Sequence, residues 1–191
     1  MNAIVTVTML DSQRLLPGSY AALCNIVAML GLQPTQYGPK PKVYLRFEVP
    51  SEHYPDGHPY TLGATLTASL SPKAVLSQWI QAWRGVPFSP EDLKGFDLFK
   101  LLGKSCLINV SEVAGGAGTY SVITTLSALL RGMPPLTPHY PLLKYSDNYR
   151  GDLDKMPPWI QEKISAQVPP TTAAEPAPAP TPQPFNDDIP F

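Results

Sequence analysis

The hydrophobic period changes twice between residues 42 and 129, and this double switch narrows the possible folds more than any other feature. The stretch "KVYLRFEVP" (42–50) alternates, with Val43, Leu45, Phe47 and Val49 on one face and Lys42, Tyr44, Arg46 and Glu48 on the other. Period two marks a half-buried antiparallel strand. Before it, "YAALCNIVAMLGLQ" (20–33) reads as a long, mostly apolar strand, separated by the turn formers of "PTQYGPKP". "YTLGATLTASL" (60–70) reads as a third strand. Then the spacing becomes helical: in "SPKAVLSQWIQAWRG", Val75, Leu76, Trp79, Ile80 and Trp83 share one face. Ser71 with Pro72 predicts the helix start, and Gly85 its stop. "SPEDLKGFDLFKLLGK" opens the same way at Ser89 and Pro90, with Glu91 and Asp92 suiting the helix dipole. One or two short helices are expected there, closing at Gly103. Period two returns in "SCLINVSEV" (105–113) and "TYSVITTLSAL" (119–129), joined by "AGGAG".

Three strands, a helical connection and two strands form the order of the OB-fold, a five-stranded Greek-key barrel. The expected class is therefore all-β with a helical insertion. A long first strand suits that fold, because it pairs on both sides. A two-sheet sandwich needs more strands, and a parallel α/β fold needs repeated alternation of strand and helix. Residues 130–164 are Pro-rich and read as irregular, with a short helix at "PPWIQEKI".

Prolines number 24 in 191 residues, more than twice the usual ~5% share. Many fall in "SAQVPPTTAAEPAPAPTPQPFNDDIPF" (165–191). Such sequence buries too little apolar surface to offset its ordering entropy, so it reads as a disordered tail. The expected organisation is a barrel over 1–164, a Pro/Ala-rich linker over 165–185 and an acidic tip over 186–191. The tail holds Glu175, Asp187 and Asp188 and no Lys or Arg, which leaves the body 14 basic and 12 acidic residues. A mildly basic body permits nucleic-acid binding without demanding it.

The two cysteines, Cys24 and Cys106, each sit in an apolar run and read as buried thiols. No apolar run approaches the ~20 residues of a membrane span. The N-terminal "MNAIVTVTML" lacks a basic n-region and a cleavage motif. A cytoplasmic protein is expected.

The final residues Asp187, Asp188, Ile189, Pro190 and Phe191 resemble the C-terminal tip of the bacterial single-stranded DNA-binding protein (SSB) family, which likewise follows a low-complexity linker. "WRGVPFSPEDLKGFDLFKLLGKSCLINV" (83–110) is similar to a stretch shared by replication-associated proteins of tailed phages, OB-fold single-strand binders. The first three strands depart from the SSB pattern, so the tetrameric state of that family is not carried over and the oligomeric state stays open. The resemblance implies single-stranded DNA as ligand. It also implies replication, recombination and repair proteins as partners of the tip. In physical terms, Phe191 offers a ring and a carboxylate together, a recurrent recognition handle. Pro190 lowers the ordering cost, Ile189 adds an apolar contact, and the two aspartates suit a basic rim.

Single-strand binding without sequence preference needs cations and aromatic platforms. Lys42, Tyr44 and Arg46 alternate cation and ring on the polar face of the second strand and form the leading candidate set. Tyr37 and Lys40 lie in the loop before it. Tyr60 opens the third strand, and Tyr120 follows the Gly-rich loop between the last two. Trp79 and Trp83 read as core, while Arg84, Lys94, Lys100 and Lys104 read as phosphate contacts or as solvated charges. "EHYPDGH" (52–58) reads as a polar turn, and His53, His58 and His139 show no triad or metal spacing. No cofactor, metal or enzymatic activity is expected. The alternative is an adaptor with little DNA binding, whose tail mimics the SSB tip to capture host proteins.

Overall fold

The computed structural model describes residues 14–116 and 118–169. It is mostly β, with strands β1 (Gly18–Gln33), β2 (Lys40–His53), β3 (Pro59–Thr67), β4 (Ser105–Gly115), β5 (Gly118–Ser127) and β6 (Leu143–Tyr145). Five of them form an open antiparallel sheet in the order β3-β2-β1-β4-β5, and β6 joins β1 in parallel. The length of β1 follows from its two partners: Gly18–Leu23 pairs with β4, and Leu23–Gln33 pairs with β2. The sheet changes partner at Leu23, and a bulge between Cys24 and Ile26 follows at once. Bulges bend a strand and raise its twist. The edge strands β3 and β5 are thereby drawn towards one another, and helix α1 (Val75–Arg84) packs on both.

The inner face is the one the alternation of β2 predicts. Val43, Leu45, Phe47 and Val49 are buried with Cys24 and Val27 of β1, Ile108 of β4, and Leu76, Trp79, Ile80 and Trp83 of α1. Both tryptophans are core, as their spacing predicts. The helix begins later than Ser71, however. Residues 71–74 form a turn closed by Ala74 N–H to the Ser71 carbonyl at 2.8 Å, and Ala74 is the N-cap with no side-chain cap bond. Residues 71–73 are exposed and Val75 is 48% exposed, so no burial favours an earlier helical turn. The stop at Gly85 is as expected, with φ of 71° and its N–H on the Gln81 carbonyl.

Helix α2 (Pro90–Lys94) carries a full capping box: Ser89 Oγ accepts from Asp92 N–H, and Asp92 Oδ2 accepts from Ser89 N–H. A 3-10 turn at Leu98–Leu101 completes the connection, followed by Gly103 at φ of 73°.

The Pro-rich segment after β5 is more ordered than its sequence predicts. It lays a second apolar layer on the outer face of the sheet, where Leu143, Tyr145, Met156, Ile160 and Ile164 cover Ile26, Ala28, Leu30 and Tyr44. Helix α3 (Pro158–Ser165) falls where "PPWIQEKI" predicts it. Contact with β1 continues past residue 164: Val168 N–H donates to the Leu32 carbonyl at 2.8 Å, and a Cβ on Gly31 would collide with the Gln167 side chain. The tip residues 187–191 and most of the expected linker lie outside the described residues.

Cys24 and Cys106 are both buried thiols. Burial pushes both pKa values well above the ordinary thiol range. In the native protein neither should react with a water-soluble disulfide reagent at pH 8, whereas both should react in denaturant. Rapid native labelling of either would contradict this packing.

Candidate nucleic-acid interface

The β2 face that the sequence offers as a platform is largely covered. Tyr44 is 8% exposed, and Trp159 of α3 meets it edge-on at 4.8 Å between centroids. The Tyr44 ring lies over Gly63 of β3, where any Cβ would clash with it. Arg46 is half-buried, donating from Nε to Asn25 Oδ1 at 3.1 Å and lying over the Tyr140 ring at 5.6 Å. Burial pulls its pKa below the ordinary guanidinium value. Glu48 is fully buried, and its two carboxyl oxygens accept from His139 N–H at 2.7 Å and Tyr140 N–H at 3.0 Å. The expectation of an exposed polar face is thus corrected. A segment about ninety residues downstream shields Tyr44 and Arg46 and occupies Glu48. Lys42 stays half-buried beside β3, its Nζ donating to Thr67 Oγ1 at 3.0 Å. Tyr60 is buried and stacks on Tyr54 at 4.0 Å, so it offers no open platform either.

Two other sequence candidates are open. Tyr37 is 77% exposed, and Lys40 Nζ sits 5.5 Å from its ring centroid. The loop that carries them is closed by Gly38 N–H to the Thr35 carbonyl at 3.0 Å, with Thr35 Oγ1 donating to the Gly38 carbonyl at 2.6 Å. Gly38 adopts φ of 90°, which favours glycine. Tyr120 is 52% exposed at the β4–β5 tip, paired across the ladder with exposed Val113. Its ring lies against Gly115, whose missing Cβ leaves it that space.

The structure also gathers residues that the sequence reading treats singly. A cavity of about 590 Å³ opens between α1, α2, the 3-10 turn and the start of β4, lined among others by Trp83, Arg84, Phe96, Lys100 and Lys104. Arg84 is clamped: both terminal nitrogens lie 3.1 Å from Asp92 Oδ2, and its guanidinium lies over Phe88 at 5.4 Å and Phe96 at 5.1 Å. The Ser89 N–H, with Arg84 adding to it, holds the Asp92 carboxyl below the ordinary carboxylate range. A depressed pKa keeps this clamp intact at neutral pH and releases it only as pH falls through the lowered value. Nearby, Lys144 lies 5.5 Å from the Phe99 ring and 4.6 Å from that of Tyr149. The sequence signal for this cluster is its cations: Arg84, Lys100 and Lys104 each read as a phosphate contact or a solvated charge.

Among the described residues, no group of three or more His, Cys, Asp or Glu side chains could hold a metal. His58 Nδ1 and His139 Nε2 approach to 3.4 Å. No described helix is long and apolar enough to cross a membrane. No protein-family model matches the chain, and no curated protein matches it. Of the two exposed tyrosines, Tyr37 has a cation, Lys40, over its ring.

Proposed function

We propose that this protein binds single-stranded DNA without strong sequence preference through a barrel of the OB type, and recruits replication or repair proteins through Asp187–Phe191. The strand arrangement carries the reading. A long β1 pairs on both sides, a helix follows the third strand, and α1 bridges edge strands drawn together. OB barrels use the loops after their first and fourth strands as binding elements. In this chain Tyr37 lies in the first of these loops with Lys40 at its end, and Tyr120 lies beside the second on β5.

The test is a titration of labelled oligo-dT with the full chain and with residues 1–184. Binding should survive truncation and weaken with salt. Tyr37→Ala should weaken it about tenfold, the scale of ~1–3 kcal/mol per stacked base. Absence of binding by either form at ~10 µM protein, where weak non-specific binders register, would overturn the reading. The adaptor alternative draws on one observation, the covering of the β2 face by the chain's own residues 139–164. It expects that negative result together with capture of tip-binding proteins that Phe191→Ala abolishes.

A further inference from the structure

Covering the outer face of β2 leaves the question of where a nucleic-acid strand would run. The register of β1 orders the open cations and rings. At Cys24, the β1 N–H bonds to the Lys104 carbonyl at 3.1 Å, and the Cys24 carbonyl accepts from Gly103 N–H. Three residues on, Val27 pairs with Lys144, which lies over Phe99 and Tyr149. Met29 then lines a second hollow of about 200 Å³ together with Phe96 and Phe99. Phe96 also lines the larger cavity, so the two hollows share a wall. Past Gln33, the end of β1, come Tyr37 and Lys40. All the stations before Gln33 lie on elements that flank the β1 edge opposite β2.

The larger cavity has the chemistry of a nucleotide seat. Arg84, Lys100 and Lys104 line it, and Asp92 is the one acid among its lining residues. Asp92 is already engaged by Arg84 and the Ser89 N–H. Lys100 and Lys104 are exposed, and no ion pair engages either among the described residues. Phe96 and Leu101 supply apolar wall. A single acidic peptide would need one such pocket. The smaller hollow carries Asp97 and no cation, but the larger cavity, Lys144 with Phe99 and Tyr149, and Lys40 with Tyr37 each pair cation and ring, and such a row matches a repeating polyanion with stackable bases.

We propose that single-stranded DNA runs along the β1 edge formed by the α1–β4 connection and β6, with phosphates on Lys100 and Lys104 and a base against Phe96. This rests on the single-strand binding proposed above and moves its path off the β2 face.

The deciding measurement is fluorescence anisotropy of labelled oligo-dT, about 30 nucleotides long to exceed a site of roughly 4–16. Three full-length proteins are compared: wild type, Lys100→Ala/Lys104→Ala, and Lys73→Ala/Lys163→Ala, which removes the same charge elsewhere. All four lysines are exposed, and thermal melts check that each variant folds. The first variant should bind about tenfold more weakly at ~50 mM salt. Its plot of log K against log salt should be shallower by about 1.4, near 0.7 per lost phosphate contact. The second variant should stay near wild type. Equal behaviour of the two variants overturns the proposed path while leaving DNA binding intact. Failure of wild type to bind overturns the underlying function instead. An NDDIPF peptide that binds wild type but not Lys100→Ala/Lys104→Ala, while the variant keeps full oligo-dT affinity, would also overturn the path and assign the cavity to an acidic peptide.

Discussion

Glu48→Ala should lower the stability of the protein by about 3 kcal/mol and loosen residues 136–168 first. Glu48 is fully buried, and both its oxygens accept backbone N–H groups from the covering segment. Removing it leaves the His139 and Tyr140 amides without acceptors, at ~1–3 kcal/mol for each buried polar group left unsatisfied. Water reaching the exposed His139 and the half-buried Tyr140 offsets part of that, hence the figure of about 3. Urea denaturation measures the loss. Hydrogen exchange locates it, because amides 139 and 140 should lose protection before those of β1 and β2. Glu48→Gln keeps one acceptor oxygen and should fall between. Wild-type protection at 139 and 140 in Glu48→Ala would show that the carboxyl does not hold the segment.

Trp83→Ala should have a still larger effect. The indole is 7% exposed, lies 5.7 Å from the Phe47 ring, and donates from Nε1 to the Ser105 carbonyl at 2.8 Å. Large aromatic to alanine changes in cores cost about 3–5 kcal/mol. The upper end is expected, since the change also strands the Ser105 carbonyl at the start of β4. For a domain of this size that corresponds to a drop in melting temperature of roughly 10–15 °C. Trp83→Phe keeps most of the apolar contact and loses only the hydrogen bond, so it should lose about 1–2 kcal/mol. Calorimetry of the two variants separates packing from hydrogen bonding. Equal losses would mean that the Nε1 bond, not the burial, dominates.

What could be read in the sequence was local. The inner face of β2 was legible because alternation at Val43, Leu45, Phe47 and Val49 reports burial by one adjacent layer. The Ser89 cap was legible because its partner lies three residues away. The burial of Tyr44 and Glu48 was not, because the residues that cover them lie about ninety or more positions downstream in a Pro-rich segment with no period. At three residues, β6 is too short to show alternation. Exposure of Tyr37 follows from its loop position and that of Tyr120 from its place near the β4–β5 tip, whereas burial of Tyr60 depends on its stack with Tyr54. The cavity beside Arg84 was invisible because Lys100 and Lys104 reach it only when the connection folds against β1.

The separation between Glu48 and His139, 91 positions, also sets an order of events. The contact closes a long loop and cannot reward the chain until β2 exists to receive it. During synthesis, residues 139–164 are made well after the strands they cover. In that interval Ile26, Ala28, Leu30 and Tyr44 present an uncapped apolar surface to the cell. A nascent chain of this kind spends its most aggregation-prone moments with β1 to β5 made and the covering segment, β6 included, still to come.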